Sequence, residues 1–173
     1  MILGVDPGQR RDPAGIVCLD GLAVVHVERV PLHTSYGALA GRVAAIARMA
    51  GGAAVVVDAT GARPFLDLLE AEGLAPVAVT LTGGGKVHVR GREVSLPRKA
   101  LFQPLQAAVE AGRLRVAEGC PYAGELAQEL LQVRGRPSGA ESRGTGHHGD
   151  LMTAVALAVW WQGVGGRPSS GLL

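Results

Sequence analysis

The chain has 173 residues, enough for one domain with a real core, and 47% hydrophobic against 18% charged residues fits an ordinary soluble globule. A net charge of +2 singles out no partner, and the two cysteines, Cys18 and Cys120, have no metal-binding spacing and are expected to stay reduced as packing residues. No apolar run reaches the roughly 18–20 residues that span a bilayer, and the chain opens on no basic, small-residue leader, so the expectation is a cytoplasmic protein away from membranes.

With 26 glycines, 10 prolines and only 3% aromatics, the sequence predicts many tight turns around an Ala/Val/Leu core. It begins with ILGVDPG, an apolar run closed by a carboxylate and a turn, which reads as a central strand. Strands over 14–19 and 22–30 follow, joined by the Asp20-Gly21 turn. In the second of these, Val25 and Val27 are expected on the apolar face, with His26 and Glu28 opposite. Thr34 or Ser35 can cap a helix over 36–49, ended by Gly51-Gly52. A strand over 53–58, a helix over 63–72 with Phe65, Leu66, Leu68 and Leu69 inward, and a strand over 76–81 imply a parallel pair with a right-handed crossover.

Residues 82–85 are glycine-rich, but Lys86 is followed by no Ser or Thr and the leading glycine of a phosphate loop is missing, so no nucleotide site is expected. A small hairpin is predicted from 86–89 and 92–95 around Arg90-Gly91, then a helix with Pro97 in its first turn running to about Ala111. A short edge strand over 114–116 and a helix over 123–133, with Leu126, Leu130 and Leu131 inward, come next. Residues 134–149 lack apolar periodicity and read as a mobile loop; LMTAVALAVWW after it reads as a buried helix. The organisation expected is one domain over 1–163 and a flexible tail over 164–173. Three antiparallel strands, a helix, and then alternating parallel strands and helices predict an α/β fold of ribonuclease H type, with a five-stranded mixed sheet flanked by helices and a separate small basic hairpin.

Three of the six aspartates sit at element boundaries: Asp6 and Asp58 end apolar strands, and Asp150 opens the last helix. Asp6 admits a plain reading as an Asx-turn closing its strand. Together, the three carboxylates could converge on a hard cation such as Mg²⁺. At a helix start Asp150 is expected to have a lowered pKa. Between Gly84 and Arg115 seven basic residues (Lys86, Arg90, Arg92, Arg98, Lys99, Arg113, Arg115) face two acids, and Arg134, Arg136 and Arg143 add a second basic run. Such patches suit a phosphate backbone, or are simply a solvated face. The scarcity of aromatics favours duplex over single-strand contacts.

The order of ILGVDPG, VVVDATG, a strand, a glycine-rich hairpin, VSLPRKALFQPLQAAVEAGRLRV and HHGDLMTAVALAVWW resembles the nuclease domain of phage terminase large subunits, from Met1 to about Gln162. RuvC-type Holliday-junction resolvases start similarly but usually carry a glutamate at the second acidic position, where this chain has Asp58. The resemblance implies a metal-dependent endodeoxyribonuclease with Asp6, Asp58 and Asp150 as catalytic metal ligands. It implies Mg²⁺ or Mn²⁺, two ions with DNA bound, the geometry that phosphodiester hydrolysis exploits with ions about 3.5–4 Å apart. Asp6 is then expected to bridge the ions, with Asp58 on the leaving-group side and Asp150 on the water side. His147 and His148 are auxiliary candidates for orienting water or phosphate, or else solvated loop residues. Lys86, Arg90, Arg92, Arg98, Lys99, Arg134, Arg136 and Arg143 are the expected DNA contacts.

Double-stranded DNA is the implied partner, with an ATPase motor domain and a portal or small terminase subunit in a full assembly, in the cytoplasm of a bacterial host. Two features depart from the family pattern. Only one acid follows the histidines, because Gly149 stands where a second acid is often found, and no motor domain is present in these 173 residues. The alternatives are a dimeric junction resolvase and a non-catalytic nucleic-acid-binding module of the same fold.

Overall fold

A computed structural model describes residues 1–8, 12–131 and 149–165. Among them a single mixed sheet runs through the molecule in the order β6-β7-β5-β4-β1-β2-β3-β8. The strands are β1 (Ile2–Asp6), β2 (Ala14–Asp20), β3 (Ala23–Val30), β4 (Ala54–Asp58), β5 (Val77–Thr82), β6 (His88–Arg90), β7 (Glu93–Pro97) and β8 (Arg115–Val116). β1, β2 and β3 form the expected antiparallel meander, and β4 and β5 extend it in parallel with β1.

The sheet has eight strands, not five, because the basic hairpin is not a separate unit. In β7, Val94 and Leu96 alternate with more exposed neighbours and are buried, so the strand has an apolar face to bury, and it pairs in parallel with β5. β6 folds back on it through the two-residue turn Gly91-Arg92, with Gly91 at φ 62°, a value that glycine adopts without steric cost. At the other edge, β8 pairs in parallel with β3.

Helices cover both faces. α1 (Tyr36–Met49) and α2 (Arg63–Ala71) pack on one, over Leu3, Val5, Ile16, Val55 and Val57. α3 (Arg98–Glu110), α4 (Ala123–Leu131) and α5 (Asp150–Gly163) pack on the other, over Val17, Val27, Val56, Val79 and Leu96. α1 is capped by Ser35, whose Oγ accepts the Ala38 N–H at 3.2 Å. α5 is buried almost all round, as its unbroken apolar sequence predicts, and it crosses β1, β2 and β4. Two glycines permit that approach: a Cβ on Gly4 would lie 1.8 Å from the Ala154 carbonyl oxygen, and one on Gly15 would lie 2.6 Å from that of Asp150. Backbone therefore meets backbone where the last helix begins.

Three inward expectations fail. Val25 is 40% exposed because a bulge shifts the register: His26 lies opposite Cys18 while Val24 lies opposite Leu19, so Val24 and Val27 become the buried pair. Leu68 and Leu131 also turn outward, at 37% and 62% exposed, since the stripes of α2 and α4 are narrower than their leucine content suggests. Pro97 ends β7 and precedes the first turn of α3. No helix among the described residues is long and apolar enough to cross a membrane.

Candidate metal centre

β1 and β4 run side by side, and one residue beyond their Val5–Val57 pair both end in aspartate. Side chains alternate along a strand, so Asp6 and Asp58 share the sheet face that carries α5. On the other side of β1, Asp6 stands opposite Gly15, and Gly15 stands opposite Arg29. The first residue of α5, Asp150, rests over Gly15. Three segments far apart in sequence thus deliver three carboxylates to one corner, on regular elements rather than on loops.

Asp6 does make the Asx-turn, and Asp58 makes one as well. Asp6 Oδ1 accepts the Gly8 N–H at 3.0 Å, and Asp58 Oδ1 accepts the Thr60 N–H at 2.9 Å. Each turn uses one oxygen, so the turn reading and the ligand reading coexist. The Thr60 hydroxyl in turn accepts the Leu81 N–H at 2.9 Å, fastening the β4 turn to β5.

The electrostatics are those of a site short of positive charge. Burial pushes Asp6 from 3.8 up to about 7, with Asp58 adding to the rise, while the Gly8 amide, the Thr153 hydroxyl and Arg98 oppose it. Asp150 is 5% exposed and is pushed up to about 8, first by burial, then by Asp6, Glu129 and Asp12, with Arg29 acting against them. The helix start was expected to lower this pKa; desolvation and three neighbouring acids outweigh the helix dipole, whose effect is worth at most about 2 kcal/mol. Such carboxylates are hard oxygen donors whose mutual repulsion a hard divalent cation would relieve. Among the described residues, though, no three acids, histidines or cysteines already close into a ligand set.

The basic candidates lie apart from this corner or at its rim. Lys86, Arg90, Arg92, Arg98 and Lys99 are all exposed, and none forms an ion pair among the described residues. Arg98 opens α3 near Asp6, its guanidinium 5.3 Å from the Phe102 ring centre. The remaining candidates, His147, His148, Arg134, Arg136 and Arg143, lie outside the described residues.

Four residues at the corner escaped the sequence reading: Arg29, Glu129, Thr153 and Asp12. A signal existed for two of them. Glu129 follows Leu126 by three residues and so shares its buried face, and Thr153 follows Asp150 at the same spacing.

No protein-family model matches the chain. Nor does any curated protein. Solved structures do. The crystal structure of the large terminase nuclease from thermophilic phage G20c superposes with a TM-score of 0.63 at 21% identity, over 91% of this chain and 79% of that one. The same nuclease with bound magnesium gives 0.65 at 21% identity, over 91% and 79%. With bound zinc it gives 0.63 at 22% identity, over 91% and 78%. The chain has the fold of the large terminase nuclease, a ribonuclease H-like sheet flanked by helices.

Proposed function

We propose that the chain is a metal-dependent endonuclease of the large-terminase type, cutting double-stranded DNA at a centre built by Asp6, Asp58 and Asp150. The observation that supports this is that two adjacent strand ends and a helix start carry these carboxylates toward one partly buried corner, where the charge of Asp6 and Asp150 is unfavourable until a cation arrives. The magnesium- and zinc-bound forms of the G20c nuclease support a divalent cation as the missing charge.

Asp58 raises the pKa of Asp6, and Asp6 raises that of Asp150, so Asp6 stands between the other two and would hold the cations together with them. Their rigid placement costs no reorganisation when substrate arrives. When bound, a pair of divalent ions supplies a nucleophilic water at neutral pH and stabilises the departing oxygen. Arg98, at the rim, is positioned to meet a phosphate beside the acids. Lys86, Arg90 and Arg92 extend the positive surface along the β6 edge, where they would follow the duplex backbone without reading sequence.

Supercoiled plasmid incubated with Mg²⁺ or Mn²⁺ tests the reading directly. Nicked or linear product is expected with either ion and none with EDTA. Plasmid that is bound but never cut would leave only a binding module. The hairpin has its own test. Replacing Lys86, Arg90 and Arg92 together by Ala should weaken duplex affinity equally for unrelated sequences. The slope of log K against log salt should shrink by about 0.9 for each phosphate that is no longer neutralised. An unchanged slope would return the β6 edge to an ordinary solvated surface.

A further inference from the structure

Glu129 is one of only three buried polar or charged residues among those described, together with Asp150 and Thr153. It sits on α4 between Leu126 and Leu130, both buried, where a carboxylate is costly unless its oxygens are satisfied. They are. Oε2 accepts the Met152 N–H at 2.8 Å, and Oε1 pairs with Nη2 of Arg29. One side chain thereby joins β3, α4 and the first turn of α5.

Both contacts bear on Asp150. The Met152 amide belongs to the opening turn of α5, whose N–H groups have no acceptor within the helix, and Gly149 at the cap position has no side chain to offer. Glu129 supplies that cap from another helix. Arg29 lies on the same cross-strand row as Gly15 and Asp6, with Asp150 resting over Gly15 between them. Its Nε is buried without a hydrogen-bond partner among the described residues, so within them the guanidinium has a donor to spare beside two acids. A guanidinium released there would take a carboxylate in its two-pronged grip.

We propose that Glu129 is a positioning residue for the metal centre: it caps α5 and holds the Arg29 guanidinium away from Asp150, leaving that carboxylate free for a cation. The proposal rests on the metal-site reading above, and the experiment separates the two.

Mn²⁺ is titrated calorimetrically, without DNA, into the unaltered chain, Glu129→Gln, and the double variant Arg29→Gln/Glu129→Gln. Glutamine still accepts from Met152 but no longer neutralises Arg29. Supporting residues of this kind typically change metal affinity by 10–100-fold, so Glu129→Gln should weaken Mn²⁺ binding roughly 10-fold, and the double variant should recover to within about 3-fold of the parent. A double variant as weak as Glu129→Gln would make Glu129 a ligand in its own right and overturn the proposal. Parental affinity in Glu129→Gln would overturn it as well. No binding to the unaltered chain would overturn the metal-site reading, and this proposal with it. Amide exchange gives a readout that needs no metal: the Met152 N–H should exchange faster in Glu129→Ala and remain protected in Glu129→Gln. Equal protection in Glu129→Ala would exclude the capping role.

Discussion

Asp6→Asn should lose plasmid cleavage by on the order of 10³-fold in Mn²⁺, because several kcal/mol of transition-state stabilisation depend on the ions it would hold. The fold should survive. Asparagine keeps an oxygen to accept the Gly8 N–H, now bonded to Asp6 Oδ1 at 3.0 Å, so the turn after β1 persists. It also removes a buried charge whose pKa has been driven to about 7, so neutralisation relieves the apo protein rather than damaging it. Asp58→Asn should behave similarly, since the turn to Thr60 is likewise retained. Loss of activity with an undiminished melting temperature is the signature of a ligand rather than of a structural residue. A variant cutting at the parental rate would end the metal-site reading.

How far the sequence carried depended on whether a residue's surroundings were local. ILGVD, AVVVD and the unbroken apolar run of α5 declare their elements and their terminal acids, because burial on both faces leaves a continuous apolar signature. The hairpin was legible as strands but not as part of the sheet. Charged and polar residues outnumber apolar ones in it, so Val94 and Leu96 alone had to report that β7 lies against the neighbouring β5. The bulge that turns Val25 outward has no sequence mark, since it is set by pairing between β2 and β3.

Glu129 was hidden for a similar reason. In AGELAQELL a glutamate reads as the solvated side of an amphipathic helix, and its partners, Arg29 and Met152, lie 100 and 23 residues away. The sequence did flag Gly149 as the place where a second acid is absent. The structure adds a physical reason. A Cβ there would come within 2.8 Å of Met152 Cε and 3.2 Å of its Cβ, with Glu129 Oε2 3.7 Å away. An aspartate would need the flexible Met152 side chain to swing aside and would set its charge against Glu129.

Asp150→Asn should make the metal-free protein more stable at pH 8.5 and leave it unchanged near pH 4. The folded-state pKa of Asp150 is raised from 3.8 to about 8, so between those values the native chain retains a proton that the unfolded chain has released. Stability contributed by that proton is present below the unfolded pKa and is lost as pH rises through the folded one. Asp6, raised to about 7, acts in the same direction. Without metal the parent should therefore melt lower as pH climbs from 4 to 8, whereas the asparagine variant lacks the Asp150 part of that decline. Groups that do not interact with Asp150 cancel in the difference. Allowing about 2 kcal/mol for a pair of coupled acids, the variant should lead by about 5 °C at pH 8.5 in EDTA. Saturating Mn²⁺ should reverse the order, because a cation binds the ionised carboxylate and stabilises only the chain that has it. Melting curves at both pH values, with EDTA and with Mn²⁺, make the comparison. Parallel pH dependence in the two proteins would mean that Asp150 titrates normally and that the corner carries no unmet demand for a cation.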